Sequence, residues 1–109
     1  MWLFTTIGFF SVVEDPEHPD TLKIRARARE DLEALRDQHL PDLEIVESEH
    51  TDYRFRAFVR RDEWEHAVRS LVADIDYPNF KSAVGQRQGH ARAGRYAQVW
   101  QVMYGLQQS

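Results

Sequence analysis

The chain has 109 residues, of which 42% are hydrophobic, and it carries 14 Lys and Arg against 18 Asp and Glu; this is the composition of one ordinary globular domain. It contains no cysteine, which excludes a disulfide framework, a thiolate nucleophile and any cysteine-bound zinc or iron–sulfur centre. Because the apolar start lacks the basic segment and cleavage site of a signal peptide, and no run reaches the roughly 18–20 apolar residues of a membrane helix, we expect a single cytoplasmic domain over residues 1–109.

Two strands are predicted in the first quarter of the chain. Residues 1–14 are rich in β-branched and aromatic side chains and end at an acidic turn with two prolines, which predicts one strand followed by a loop. Residues 22–28 alternate between apolar side chains and cations, the period of a strand with one buried face. We expect the two strands to form a hairpin. The first has apolar side chains on both faces, so we expect both to be covered.

A helix and a second hairpin follow. Glu30, Asp31 and Glu33 lie where acids favour the start of a helix, and Pro41 ends it. Residues 43–47 and 53–59 are predicted to be the third and fourth strands, joined by the polar turn 48–52.

The last part of the chain is predicted to be helical. Between residues 64 and 75, apolar side chains recur every three or four positions, which predicts an amphipathic helix. The region from Phe80 onward reads as a helix in two pieces with a kink near Gly89. No Asp or Glu follows Tyr77, so the C-terminal third is locally basic.

The order of these elements, ββαββα with an added C-terminal helix, indicates the α+β class. We expect a four-stranded, mainly antiparallel sheet with helices on one face. A ferredoxin-like arrangement is the nearest comparison, by analogy alone.

Short segments spread over most of the chain carry a resemblance. They are Met1-Trp2, Gly8-Phe9, Arg25-Ala26-Arg27, Thr51-Asp52-Tyr53, Ile75-Asp76-Tyr77, Asn79-Phe80-Lys81, Tyr96 and Val99-Trp100. In combination they resemble an uncharacterised family of short bacterial proteins. The resemblance implies a bacterial protein and brings with it no activity, cofactor or site residue.

Five cations are predicted to lie on one face of their own strands, three on the second strand and two on the fourth. They are Lys23, Arg25, Arg27, Arg54 and Arg56. If the faces of the two strands coincide, these side chains form a patch able to hold a phosphate, a carboxylate or a nucleic-acid backbone. The alternative is a solvated face on which the arginines pair with Glu44, Glu47 or Glu49 across strands.

Nucleic acid is the less favoured ligand for this patch. Aromatic side chains at Tyr53, Phe55 and Phe58 are interleaved with the arginines and would suit base stacking. Tyr53 and Phe55, however, fall on the face opposite Arg54 and Arg56, so we expect both in the core. The sequence pI of about 5.7 also differs from that of a basic nucleic-acid-binding domain.

No metal site or cofactor is expected. The acidic turn at 74–79 lacks the glycine and the distal glutamate of a calcium loop, and Glu63 with His66 supplies only one of the pairs that a di-metal site needs. For an enzyme, the best polar group is the turn formed by Asp52, Tyr53 and Arg54, which suggests a small hydrolase or isomerase as a third hypothesis. That hypothesis requires a pocket joining these groups to a histidine.

The excess of apolar residues without a catalytic constellation favours a non-enzymatic interaction module, a homodimer or a protein that binds another protein. Its expected anchors are aromatic: Trp2, Phe4, Phe9, Tyr96 and Trp100. The alternative function is a regulatory domain that binds a small anion or a nucleotide through the five cations.

Overall fold

The computed structural model describes residues 1–108 and divides into two compact units, one from Met1 to Ile75 and one that begins at Asp76. The elements of the first unit are β1 (Trp2–Phe4), β2 (Phe9–Glu14), β3 (Thr21–Ala26), α1 (Arg29–Gln38), β4 (Val46–Glu47), β5 (Phe55–Arg60) and α2 (Arg61–Ala73). Those of the second are α3 (Phe80–Gln88) and α4 (His90–Gln108). The α+β class is confirmed. Among the helices described, none has the length and apolar character needed to cross a membrane.

The sheet has five strands in the order β1-β2-β3-β5-β4, and all four pairings are antiparallel. The predicted count of four strands is therefore wrong. The ferredoxin-like arrangement is not confirmed: the first unit runs βββαββα, whereas a ferredoxin-like chain runs βαββαβ. The predicted third strand is also shorter than expected, because only Val46 and Glu47 pair with β5.

The extra strand arises because residues 1–14 form a hairpin rather than one strand. The Thr5 hydroxyl accepts hydrogen bonds from the backbone N–H groups of Ile7 and Gly8 and donates one to the Gly8 carbonyl. The Thr5 N–H also bonds to the Gly8 carbonyl at 2.9 Å. These bonds close a tight turn between β1 and β2. The two-sided apolar pattern of this segment thus belongs to two successive strands, and it is not evidence that one strand is covered on both faces.

The core lies between the sheet and the helices α1 and α2. On the sheet side, the buried residues alternate along the strands, as in Leu22, Ile24 and Ala26 of β3. On the helix side, Leu32 and Leu35 of α1 are fully buried. Trp64 of α2 is 4% exposed and contacts Phe10 edge to face at 6.4 Å between ring centroids. Both helices therefore lie against the same sheet face, and each large apolar side chain buried there contributes about 1.5–3 kcal/mol.

The second unit is a pair of helices with a break between them. Asn79 begins α3, and its side chain accepts a hydrogen bond from the Ser82 N–H at 2.9 Å, as an N-cap residue does. Gly89 separates α3 from α4 with φ of 98°, a backbone conformation that favours glycine. The predicted division of this region into two pieces near Gly89 is confirmed.

Candidate functional site

The sheet face opposite α1 and α2, called the outer face below, combines cations with apolar side chains. On the central strand β3, Lys23 and Arg25 alternate with the buried core residues. The strand register places Arg25 between Ser11 of β2 and Arg56 of β5. It places Lys23 opposite Phe58, which is 46% exposed. The two cationic faces, whose coincidence the sequence left open, therefore meet at Arg25 and Arg56.

Three arginines of this face converge on one tyrosine. The guanidinium carbons of Arg25 and Arg27 lie 4.6 Å and 4.2 Å from the centroid of the Tyr53 ring, within the range of cation–π attraction. Arg56 donates to the Tyr53 carbonyl at 3.3 Å and to the Thr51 hydroxyl at 2.8 Å. We call Arg25, Arg27, Tyr53 and Arg56 the arginine–tyrosine cluster.

Tyr53 was expected in the core, and it is buried as expected, but its neighbours differ from those of the core beneath the sheet. Its side chain is 3% exposed, yet it is not part of the hydrophobic cluster beneath the sheet; its ring is covered instead by guanidinium groups. Phe55, by contrast, packs against the core as expected. The difference arises because Tyr53 precedes the first residue of β5, so the alternation of that strand does not set its direction.

Arg54 behaves differently from the other four predicted cations. Its Nε donates to the Glu47 carboxylate at 2.7 Å, and its Nη2 lies 3.6 Å from Glu49. This is the cross-strand pairing that the alternative interpretation predicted for the arginines. Arg54 is therefore a neutralised surface residue, while Arg25, Arg27 and Arg56 donate hydrogen bonds to neutral oxygens.

The same geometry bears on the enzyme hypothesis. Tyr53 is enclosed by arginines and Arg54 is paired with glutamates. Arg27 holds the Asp52 carbonyl at 2.6 Å. An open cleft of about 730 Å³ does contain His39 and His66, but none of Asp52, Tyr53 and Arg54 lines it. The described cleft does not join the turn to a histidine, as that hypothesis requires.

The cleft itself lies between the end of α1, the end of β5 and the start of α2. Its charged side chains largely pair with one another, since Arg60 contacts Asp62 at 2.7 Å and Glu63 at 4.0 Å. The His39 ring, 8% exposed, lies 3.7 Å from Asp74. Over residues 1–108, no group of three or more histidine, cysteine or acidic side chains is placed to hold a metal ion.

One acidic side chain near the outer face has a perturbed pKa. Burial raises the pKa of Asp15, but the hydrogen bond from the Glu17 N–H, the hydrogen bond and charge of His18, and the charge of Lys23 together lower it below its ordinary value. The two bonds to the carboxylate are both 3.1 Å long. Asp15 thereby stabilises the turn between β2 and β3.

Three of the five predicted aromatic anchors form a group at the edge of the sheet. The rings of Phe4 and Phe9 stack at 4.5 Å, and Trp2 meets Phe9 edge to face at 5.6 Å. Trp2 is 65% exposed, while Phe4 and Phe9 are half-buried. This group gives the sheet edge an apolar patch.

The other two predicted anchors lie in the second unit and differ from each other. Tyr96 is 7% exposed and stacks on Phe80 of α3, so it belongs to the packing between the two helices. Trp100 is 53% exposed; its ring stacks on Tyr104 at 5.2 Å and lies under the Lys81 ammonium at 4.9 Å. Only Trp100 of this pair presents a large apolar surface.

The C-terminal half of α4 is more exposed than its sequence pattern suggested. Its large exposed side chains are Val99, Trp100, Val102, Met103, Tyr104 and Leu106. At 100° per residue they occupy an arc of about 200° around the helix, and glutamines fill most of the remainder. No charged residue occurs from Tyr96 to the end of the chain.

The chain matches no protein-family model, no curated protein and no solved structure. Its function is therefore inferred from its own residues.

Proposed function

We propose that this protein is a non-enzymatic interaction module that acts in the cytoplasm as a homodimer. The proposed contact surface is the C-terminal half of α4, from Val99 to Leu106. The cysteine-free sequence suits the reducing compartment that the proposal assumes.

The observation that supports the proposal is the exposed apolar area of α4. The exposed fraction reaches 76% at Val102 and 72% at Leu106. Weighting ordinary side-chain areas by the exposed fractions of the six residues gives a patch of roughly 600 Å². That value lies at the upper limit of the largest apolar patch on a typical monomer, so leaving it in water is unfavourable.

A second copy of the chain is the partner that fits this surface. Two such patches brought together bury about 1,200 Å², the lower end of stable specific interfaces. The segment has no charge to repel its own copy, and a two-fold pairing closes the assembly without leaving a further patch exposed. The stacked Trp100 and Tyr104 rings supply the rigid aromatic anchors that dominate interface energies.

Native mass spectrometry and light scattering of the purified chain test this proposal. We expect a species of twice the 12.9 kDa chain mass at micromolar concentration. The substitution Val102→Glu places a charge in the apolar arc and is expected to convert the dimer to a monomer. Gln101→Glu is the matched control, because it adds the same charge on the glutamine side of α4 and should leave the dimer intact.

Two results would contradict the proposal. One is a wild-type chain that remains monomeric at tens of micromolar concentration. The other is a dimer that Val102→Glu and Gln101→Glu weaken equally, which would place the contact elsewhere.

A second candidate function, binding of a small anion, is favoured by a separate observation. Three guanidinium groups lie together on the outer face, and they donate hydrogen bonds to neutral oxygens.

A further inference from the structure

The arginine–tyrosine cluster concentrates positive charge without neutralising it. Within residues 1–108, no carboxylate oxygen lies within 4.0 Å of a guanidinium nitrogen of Arg25, Arg27 or Arg56. Their partners are the Ser11 hydroxyl for Arg25, the Asp52 carbonyl for Arg27, and the Thr51 hydroxyl for Arg56. Two other arginines of β5 and the turn before it, Arg54 and Arg60, do pair with carboxylates, and the three cluster arginines differ from them in this respect.

The strand register makes this arrangement unfavourable in the protein alone. Arg25 and Arg56 are directly opposite each other on adjacent strands, where like charges destabilise a sheet. The Nε atoms of both residues are buried, and neither has a hydrogen-bond partner in the described chain. A buried charged donor without an acceptor lowers stability. An anion bound at the two guanidinium groups would offset the repulsion between their charges.

We propose that the outer face binds a phosphate-class anion between Arg25 and Arg56, with Arg27 adding to the positive potential. The planar guanidinium group presents paired N–H donors that match phosphate oxygens. The Tyr53 ring holds two of the guanidiniums in place, and the Ser11 and Thr51 hydroxyls occupy one donor each of Arg25 and Arg56. The terminal Nη donors that these bonds leave free are therefore pre-oriented, which reduces the entropy lost on binding.

The residues around the arginine–tyrosine cluster indicate which kind of phosphate-containing molecule would bind there. Lys23 and Phe58 form the next pair on the same face of these two strands. They lie two residues, or roughly 6.8 Å, from the arginine pair. The exposed Phe58 ring and the Lys23 ammonium, 5.9 Å apart, offer an aromatic surface and a further charge. This site suits either inorganic phosphate or the phosphoryl group of a small molecule whose planar part stacks on Phe58.

Thermal unfolding and isothermal titration calorimetry with inorganic phosphate and with adenosine monophosphate test the site. At constant ionic strength, we expect both probes to raise the Tm of the wild-type chain relative to chloride. Arg25→Gln and Arg56→Gln should each weaken binding about ten-fold or more, since each removes a hydrogen bond between charged groups. Arg54→Gln is the matched control: it makes the same charge change at a guanidinium already paired with Glu47, and it should leave affinity unchanged.

Two further measurements keep the test decisive. Arg27 is exposed, so Arg27→Gln should fold normally and still weaken binding. In the wild-type chain, tighter binding of adenosine monophosphate than of phosphate assigns the site to an organic phosphate, and equal binding assigns it to phosphate itself. The proposal is overturned if neither probe binds the wild-type chain at up to tens of millimolar, or if Arg54→Gln weakens binding as much as Arg25→Gln does. The proposed site lies in the first unit. The result of this binding test is therefore independent of whether the chain dimerises through α4.

Discussion

Replacement of Gly8 by alanine is the sharpest test of how the first hairpin packs. A Cβ atom added at Gly8 would lie 2.6 Å from Asp31 Cβ and 2.7 Å from Asp31 Cγ. Ordinary carbon–carbon contacts are about 3.5–4.0 Å, so the overlap is about 1 Å. Asp31 is 2% exposed and accepts a hydrogen bond from the Phe9 N–H at 2.9 Å. It cannot move away without breaking that bond.

The expected loss of stability follows from these two effects. Overpacking costs about 1–3 kcal/mol, and loss of a hydrogen bond to a charged acceptor costs about 1.5–3 kcal/mol. Gly8→Ala should therefore lower the free energy of unfolding by about 3–6 kcal/mol, a large part of the 5–15 kcal/mol typical of a domain. Urea and thermal unfolding followed by circular dichroism measure it, and the Tm should fall by at least about 12 °C.

Two companion variants separate this clash from other effects of alanine. A Cβ at Gly94 in α4 would meet nothing within 4 Å, so Gly94→Ala should be neutral or stabilising by up to about 1 kcal/mol. Asp31→Gly removes the atoms that clash, and Gly8→Ala should cost far less in that background. The reasoning is refuted if Gly8→Ala costs under about 1 kcal/mol, or if the two substitutions are additive within about 0.5 kcal/mol.

Three further outcomes are expected. Trp64→Ala should lower the free energy of unfolding by about 3–5 kcal/mol, because its nearly buried ring packs on Phe10; a loss below 1 kcal/mol by urea unfolding would show that this ring is not in the core. Asn79→Ala removes the hydrogen bond from the Ser82 N–H and should lower the stability of α3 by roughly 0.5–2 kcal/mol. Hydrogen exchange of the α3 amides should then be faster, and an unchanged exchange rate would contradict the role of Asn79 as N-cap. The pKa of Asp15 is lower in the folded chain than in the unfolded chain, where it is about 3.9. The ionised carboxylate therefore stabilises the fold above the unfolded pKa, and this contribution is lost as the pH falls through the folded pKa. Urea unfolding from pH 6 to pH 2 should therefore show a weaker acid destabilisation in Asp15→Asn, and parallel curves for the two proteins would remove the basis for this assignment.

Three predictions that depend on neighbouring residues agree with the structure. The helical period near Trp64, the alternation along β3 and the break at Gly89 are all present. Each depends on side-chain spacing or backbone freedom within a few residues, so the local sequence is enough to determine it.

The failed prediction of a single strand over residues 1–14 has a local cause and a distant one. The turn that divides residues 1–14 is closed by the Thr5 hydroxyl, and it packs on Asp31, an acid expected from its position only to favour a helix start. The helix dipole explains why an acid is favoured at that position. The contact of Asp31 with Gly8, however, depends on how the hairpin packs against α1, which the local sequence does not specify.

The candidate anion site shows the same division. Lys23, Arg25 and Arg27 share one face by the two-residue period of a strand, which the sequence by itself determines. The tertiary structure alone decides that β3 pairs with β5 in the register that sets Arg25 opposite Arg56, and that Arg54 turns to Glu47 while Tyr53 receives two guanidiniums. The physical reason is that alternation specifies the face of a side chain, whereas its neighbour across the sheet depends on the register between strands about 30 residues apart in the chain.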